Sequence, residues 1–155
     1  MITEILTCSL LLSSCGDSDQ LPDPSDNLEE SAQVINVVCS GQPNNYTLTV
    51  TIASPDTGCD QYADWWEVLT AEGELIYRRI LTHSHVEEQP FARSGGIVDV
   101  GPDQRVYVRA HMNNLGYGTQ VFSGTIGAGL VQDSLAKDFA SEVATQEPLP
   151  NGCAF

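Results

Sequence analysis

Short segments in which polar and apolar residues alternate make up most of this chain, and they limit the folds it can adopt. In residues 45–54, Tyr46, Leu48 and Val50 fall on one face and threonines on the other, which is the period of a β-strand with one buried face. Turn residues separate these segments about every ten residues. The predicted strands lie at 34–39, 45–54, 63–70, 75–84, 96–100, 105–113 and 119–127.

This pattern predicts an all-β fold. Short strands with frequent turns and no long helix between them are typical of a sandwich, and we expect an immunoglobulin-like or fibronectin type III-like sandwich of about seven strands. A jelly roll or a small barrel is the alternative. After Gly129 the apolar residues Val131, Leu135, Phe139 and Val143 recur every four positions, which predicts a short amphipathic helix at the C-terminal end.

Composition fits one folded domain with a tail. The chain has 155 residues, of which 41% are hydrophobic, so it has enough apolar side chains for a core. Its net charge of −15 at pH 7 is the wrong sign for nucleic acid, which needs a basic footprint. Adhesion to anionic lipid through charge alone is excluded for the same reason. We therefore expect no nucleic-acid partner.

The N-terminus carries an apolar run at 5–12, followed by two serines and Cys15. This resembles the signal peptide of bacterial lipoproteins, whose lipobox is Leu, two small residues and Cys. The resemblance implies that residues 1–14 are a signal peptide and that Cys15 becomes the lipid-modified first residue. An ordinary cleaved secretion signal or a short buried strand is the alternative. The run is too short to span a membrane.

Residues 15–33 are predicted to form an acidic flexible tether between the lipid anchor and a domain at 34–155. The tether carries acidic residues and two prolines and no basic residue, a composition that stays solvated. In lipoproteins of the type it resembles, a residue other than Asp after the lipidated Cys, here Gly16, implies an outer-membrane destination. The domain would then be held in the bacterial cell envelope, on the periplasmic or the outer side.

Three cysteines remain after the signal peptide and the lipidated Cys15, and an envelope protein meets an oxidising compartment. They allow three single pairings. Cys59 lies in a turn and Cys153 lies in a tail that must be held in place, so we expect these two to form a disulfide. Cys39 lies on an apolar strand face and is predicted to be a buried thiol. Without a CxxC spacing, a metal-thiolate site is not indicated.

Cationic side chains are concentrated between positions 78 and 111, which contain five of the six basic residues and all three histidines. Aromatic residues interleave with them. The first interpretation is a ligand face for a sugar, an anionic polymer or a protein partner, because Arg, Tyr and Trp dominate such surfaces. The predicted ligand-binding residues are Trp65, Tyr77, Arg79, Tyr107 and Arg109.

A second interpretation is a copper or zinc site formed by His83, His85 and His111. We expect the strand at 63–70 to lie between those at 75–84 and 105–113. The two outer strands would then be parallel to each other, with their histidine-bearing ends at the same edge. The outer strands would be about 9.6 Å apart, so one ion would have to be reached over the central strand.

The third interpretation is structural: Glu67 would face Arg78 or Arg79 across one strand pair and Arg109 across the other. Such an exposed cross-strand charge ladder stabilises a sheet by a few tenths of a kcal/mol per pair. Catalysis is not indicated, because the chain has no nucleophile elbow and no phosphate-binding glycine motif between a strand and a helix.

Three stretches resemble a group of uncharacterised bacterial secreted lipoproteins, and the resemblance extends over most of residues 46–155. They are SPDTGCDQYADWWEV (54–68), LIYRRILTHSHVEEQPFARSGG (75–96) and VYVRAHMNNLGYG (106–118). The resemblance implies a secreted, lipid-anchored protein and supplies no activity. The sequence therefore predicts a lipid-anchored β-sandwich that binds an unknown ligand, with a three-histidine metal site or a purely structural envelope role as alternatives.

Overall fold

A computed structural model describes residues 31–154. The signal peptide, Cys15 and most of the predicted tether lie outside the described residues. The first described residues, Ser31 and Ala32, are already buried. The described part is all-β, as predicted. Its elements are β1 Gln33–Gln42, β2 Asn45–Ala53, β3 Ala63–Thr70, β4 Leu75–Ile80, β5 Phe91–Val98, β6 Arg105–Met112, β7 Gly116–Tyr117, β8 Gln120–Thr125, β9 Gly129–Ser134 and a 3₁₀ helix Ser141–Thr145.

The strands form two antiparallel sheets. The smaller sheet has the order β1-β2-β5, and the larger has the order β4-β3-β6-β8-β9, with β7 added beside β6. The predicted position of β3 between β4 and β6 is confirmed. This arrangement is consistent with an immunoglobulin-like sandwich. The strands β4 and β5 are end strands of the two sheets and lie next to each other, so they form one open side of the molecule.

The main core lies between the sheets and follows the alternation in the sequence. From the smaller sheet, Leu48, Val50 and Ile52 of β2 are fully buried. From the larger sheet, every second residue of β3 and β6 faces them, beginning with Trp66. Gly95 of β5 sits against these side chains, since an added Cβ would come within 2.6 Å of the Tyr77 hydroxyl. A glycine at this position therefore allows the two sheets to approach.

Strand β3 is buried on both faces. Trp66 and Val68 belong to the main core, whereas Trp65 and Leu69 face away from it and form a second apolar cluster. Val143 and the half-buried Phe139 complete that second cluster. The outer face of the larger sheet is therefore covered by residues 139–148, which we call the C-terminal segment.

The predicted C-terminal amphipathic helix is wrong. Residues Gly129–Ser134 form strand β9, which returns from β8 through a turn at 126–128, and its first residue, Gly129, has φ +96°. Val131 is 63% exposed on this strand. The four-residue spacing thus spans a hairpin and an irregular segment that ends in a five-residue 3₁₀ helix. Only Phe139 and Val143 of the four apolar positions pack in the second cluster.

The boundaries of the strands on either side of His83 and His85 also differ from the prediction. Strand β4 ends at Ile80, before the predicted end at 84, and β5 begins at Phe91, before the predicted start at 96. The two glycines, Arg93 and Ser94 of β5 hid its strand pattern, because they interrupt the apolar alternation of this end strand. Arg93 is consequently a strand residue beside the β4 edge.

Candidate functional site

Glu67 is the buried centre of a charged cluster on the outer face of the larger sheet. It is fully buried and is paired in register with Arg78 of β4 on one side and Arg109 of β6 on the other. The Nε of each arginine donates to one carboxylate oxygen at 2.8 Å. The predicted cross-strand ladder is therefore present, but as a buried Arg–Glu–Arg cluster and not as an exposed one.

The two arginines of this cluster are held by aromatic rings. The Arg78 guanidinium lies 4.4 Å from the ring centroid of Trp65, and that of Arg109 lies 3.4 Å from the ring centroid of Tyr117. Burial and then the Glu67 carboxylate raise the pKa of Tyr117 to about 12. Tyr117 therefore stays neutral beside the carboxylate throughout the physiological pH range.

The remaining guanidinium N–H groups bind the C-terminal segment. Arg78 donates to the carbonyl oxygens of Val143 at 2.7 Å, Gln146 at 2.6 Å and Pro148 at 3.1 Å. Arg109 donates to the carbonyl oxygens of Phe139 at 2.5 Å and Ala140 at 3.1 Å. The cluster thus satisfies the backbone of an irregular segment that has no strand partner to satisfy it.

The structure separates the five predicted ligand-binding residues. Trp65 and Arg109 are buried beneath the C-terminal segment. Tyr107 is half-buried against Phe139, with ring centroids 5.6 Å apart, while Tyr77 packs on the opposite face of the sheet against Trp66. Arg79 is the exposed member of the set. Neighbouring strand residues point to opposite faces, so Arg79 does not share a face with Arg78.

The three histidines of the predicted metal site have different surroundings. His111 stacks on Trp65 with ring centroids 3.7 Å apart, and its Nδ1 lies 2.7 Å from the carboxylate of Asp64. Burial raises the pKa of Asp64, and the hydrogen bond to His111 partly opposes that shift. His83 and His85 lie next to each other, with ring centroids 4.4 Å apart. Within residues 31–154, no group of three or more His, Cys, Asp or Glu side chains is placed to hold a metal ion.

His83 and His85 belong instead to a small cavity between β4 and β5, which we call the edge cleft. Its volume is about 60 Å³, and two arginines and two histidines contribute to its walls. The lining residues are Arg79, Ile80, Leu81, Thr82, His83, His85 and Arg93. In a chain of net charge −15, this cavity gathers cationic and hydrogen-bonding side chains in one place.

Asp56 fixes the segment that carries His85. Its carboxylate is buried and accepts hydrogen bonds from the backbone N–H of Ala63 at 3.0 Å and of His85 at 2.8 Å, and from the hydroxyls of Ser54 and Ser84. The segment after β4 is thereby tied to the residue that begins β3. Its position in the edge cleft is set by buried hydrogen bonds rather than by an open loop.

The His85 side chain is 2% exposed and stacks on Phe91 at 3.7 Å, yet neither ring nitrogen has a hydrogen-bond partner among the described residues. Nδ1 lies 3.9 Å from Asp56 Oδ2, which is longer than a hydrogen bond. Burial, followed by the positive charges of Arg93 and His83, lowers the pKa of His85. The imidazole is therefore neutral at pH 7.

Sequence reasoning missed two members of this cavity. Arg93 lies outside the predicted strands at 75–84 and 96–100, and Asp56 was not singled out. Arg93 binds the exposed carboxylate of Glu88, with a shortest N–O distance of 2.8 Å. The sequence signal that could have indicated Arg93 was an arginine within the stretch FARSGG. In the structure this stretch belongs to β5, the end strand that lies next to β4 of the other sheet.

The predicted disulfide between Cys59 and Cys153 is confirmed, with the two Cα atoms 5.6 Å apart. It ties the tail that follows the C-terminal segment to the turn before β3. Residues of the tail and of β4, including Ile80 and Leu149, line a groove of about 310 Å³ beside the edge cleft. Cys39 is a free thiol as predicted, but it is half-buried and not fully buried, and burial raises its pKa.

Comparison with known proteins gives one informative similarity. The chain is 43% identical over 72 residues to a protein of Halomicrobium mukohataei named "Putative lipoprotein", and the match covers 46% of this chain and 35% of that relative. The matched part is thus about a third of the relative's length. No protein-family model and no solved structure matches the chain. Within residues 31–154, no helix has the length and apolar character needed to cross a membrane.

Proposed function

We propose that this chain is an envelope lipoprotein, anchored to the outer membrane through an acylated Cys15, that presents its β-sandwich as a binding module outside the cytoplasm. The Cys59–Cys153 disulfide carries the proposal, because persistent structural disulfides form in oxidising compartments. The similarity to a protein named as a lipoprotein and the LSSC sequence at 12–15 support the anchor.

The edge cleft supports the binding role better than the outer face of the larger sheet does. On that face the C-terminal segment already occupies the guanidinium donors of Arg78 and Arg109. In the edge cleft, by contrast, the Arg79 side chain has no hydrogen-bond or ion-pair partner in the described part of the chain, and His85 is buried and unpaired. Arg79 and His85 thus offer hydrogen-bonding groups without a partner at the surface between β4 and β5.

The anchor is tested by expressing the full chain in a bacterium with two membranes and separating its membranes. We expect the protein in the outer-membrane fraction, and mass spectrometry should show a mature chain that begins at an acylated residue 15. Replacement of Cys15 by Ala should move the protein out of the membrane fraction, whereas Cys39→Ala, as the matched control, should leave it there. A mature chain with an unmodified residue 15, or one that begins elsewhere, would overturn the anchor.

A further inference from the structure

The edge cleft has the size of a site for one small group. Its volume of about 60 Å³ is far below the roughly 300–1,000 Å³ of clefts that take drug-sized ligands. Its walls combine the apolar side chains of Ile80 and Leu81 with cationic and imidazole groups. A cavity of this size and composition can enclose one polar group of a ligand, while the rest of a larger ligand would lie outside it.

Three of the four cationic or imidazole side chains around the cleft, all but Arg93, have hydrogen-bonding groups without a partner. Arg79 and His83 are exposed and make no side-chain hydrogen bond within residues 31–154, although the two histidine rings lie near each other. The buried ring of His85 leaves both nitrogens unpaired. An unpaired buried polar group is costly and is rare in folded proteins. Of the described buried side chains with an unpaired polar atom, His85 is the one that lines the edge cleft.

The two carboxylates near His85, those of Asp56 and Glu88, already have hydrogen-bond or ion-pair partners. Asp56 faces the ring from the turn before β3, but its two oxygens already accept four hydrogen bonds. Glu88 lies on the solvent side and binds Arg93, whose guanidinium has five N–H donors in total. The other charged groups that act on His85 are His83 and Arg93, both positive or able to become so. The unpaired Arg79 adds a further positive charge at the rim.

We propose that the edge cleft binds a tetrahedral oxyanion group, a sulfate or a phosphate, through Arg79, Arg93 and the imidazoles of His83 and His85. Guanidinium groups match the geometry of such oxyanions with two parallel hydrogen bonds, and imidazoles add donors. The proposal rests on the proposed binding function, and it names the class of ligand. A free ion and an ester group on a larger molecule share this chemistry.

The site should bind more tightly as the pH falls. His85 is neutral at pH 7 because its pKa is lowered, and a bound anion favours the imidazolium form. Binding therefore takes up protons, and the affinity should rise between pH 7.5 and pH 5.5. Sulfate is the better probe for this dependence, because phosphate itself changes charge in the same range.

The test is a sulfate titration of the full-length protein with its disulfide intact, followed by NMR of the histidine rings and by calorimetry. The ionic strength is kept constant at both pH values. We expect saturable shifts at the His83 and His85 rings and tighter binding at the lower pH. Shifts that grow linearly without saturating, or that appear equally at His111, would overturn the proposal.

A matched pair of variants separates a specific site from a general charge effect. Arg79→Gln should weaken sulfate binding about tenfold, because it removes a charge-assisted donor at the rim. Arg105→Gln also removes one exposed positive charge, but from a side chain whose ion-pair partner is Asp133, outside the edge cleft. Its affinity should stay within about twofold of the unmodified protein. Equal losses in the two variants would overturn the site.

Two further arms complete the design. Unfolding midpoints of Arg79→Gln and of the unmodified protein should agree, since the side chain is exposed, so a loss of binding is not a loss of folding.

Inorganic phosphate is compared with glycerol phosphate: tighter binding of the ester assigns the site to a group on a larger molecule, and the reverse order assigns it to a free ion. The absence of binding for all three probes would overturn the oxyanion site, whereas the acylation of Cys15 is decided separately by mass spectrometry.

Discussion

At the scale of single residues, Glu67 shows how burial changes the meaning of a charge pair. Exposed pairs contribute little, because water screens them and long side chains lose entropy. Here both arginines and the carboxylate are removed from water, so each group depends on the others for its charge balance. The loss of one partner leaves charges buried without compensation, which is a far larger penalty.

Replacement of Glu67 by Gln is therefore expected to destabilise the protein by about 3–5 kcal/mol, since it leaves the Arg78 and Arg109 cations buried without a counter-charge. Urea unfolding of the full chain measures the change in the free energy of unfolding. The control is Glu72→Gln on the exposed turn between β3 and β4, which should change stability by less than about 0.5 kcal/mol. A loss below 1 kcal/mol for Glu67→Gln would contradict this interpretation.

Part of this residue-level arrangement was predictable. The alternation along the strands predicted Glu67 opposite Arg109 and either Arg78 or Arg79, and the structure pairs it with Arg109 and Arg78. The sequence did not predict that the cluster is buried. Burial depends on the C-terminal segment, whose position is set by backbone carbonyls that accept from Arg78 and Arg109. Arg78 and Val143 are 65 positions apart and Arg109 and Ala140 are 31 apart, and hydrogen bonds over such separations leave no local pattern in a sequence.

At the scale of elements, the strand order β4-β3-β6 and the Cys59–Cys153 disulfide were predictable, because hairpin turns and cysteine counts restrict the possibilities. The C-terminal helix was predicted wrongly because apolar residues four positions apart also occur by chance across a hairpin and a loop. The edge cleft was missed because it depends on two end strands from different sheets, β4 and β5. Such a juxtaposition is a property of sheet packing and not of local periodicity.

The C-terminal segment has no strand partner, so its attachment depends on the arginine cluster and on the disulfide. Cysteines 59 and 153 are 94 positions apart, and closing a loop of that length stabilises a domain by about 4–5 kcal/mol in the chain-entropy view. Replacement of Cys153 by Ser should thus lower the free energy of unfolding by about 2–5 kcal/mol and make the tail the first site of proteolytic cleavage.

Urea unfolding with and without a reductant checks this expectation. The reductant should destabilise the unmodified protein to about the level of Cys153→Ser and should have no further effect on that variant. Cys39→Ser is the matched control, because it removes the free thiol and leaves the disulfide in place. Equal stability of the oxidised and reduced protein would show that the arginine cluster alone holds the segment.

At the scale of the whole molecule, the distribution of charge is uneven. Two of the six basic residues, Arg78 and Arg109, are buried and form ion pairs with Glu67. Exposed ion pairs are few in the described part and involve Arg93 and Arg105. The buried charged side chains, three carboxylates and two arginines, nearly cancel, so the excess of acidic groups remains at the surface, where carboxylates repel one another in the folded state.

Salt should consequently stabilise this protein. Raising NaCl from about 0.01 M to 1 M shortens the screening length from roughly 30 Å to 3 Å, which removes most of the repulsion between exposed carboxylates. We expect the melting temperature at pH 7 to rise by several degrees, on the order of 1–2 kcal/mol of stability.

The control is the same comparison near pH 4, close to the sequence isoelectric point of about 4.1, where the net charge and with it the screening effect vanish. A rise of equal size at both pH values would assign the effect to salt acting on apolar surface and not to charge. A fall at pH 7 would mean that attractive ion pairs outweigh the repulsion across the surface.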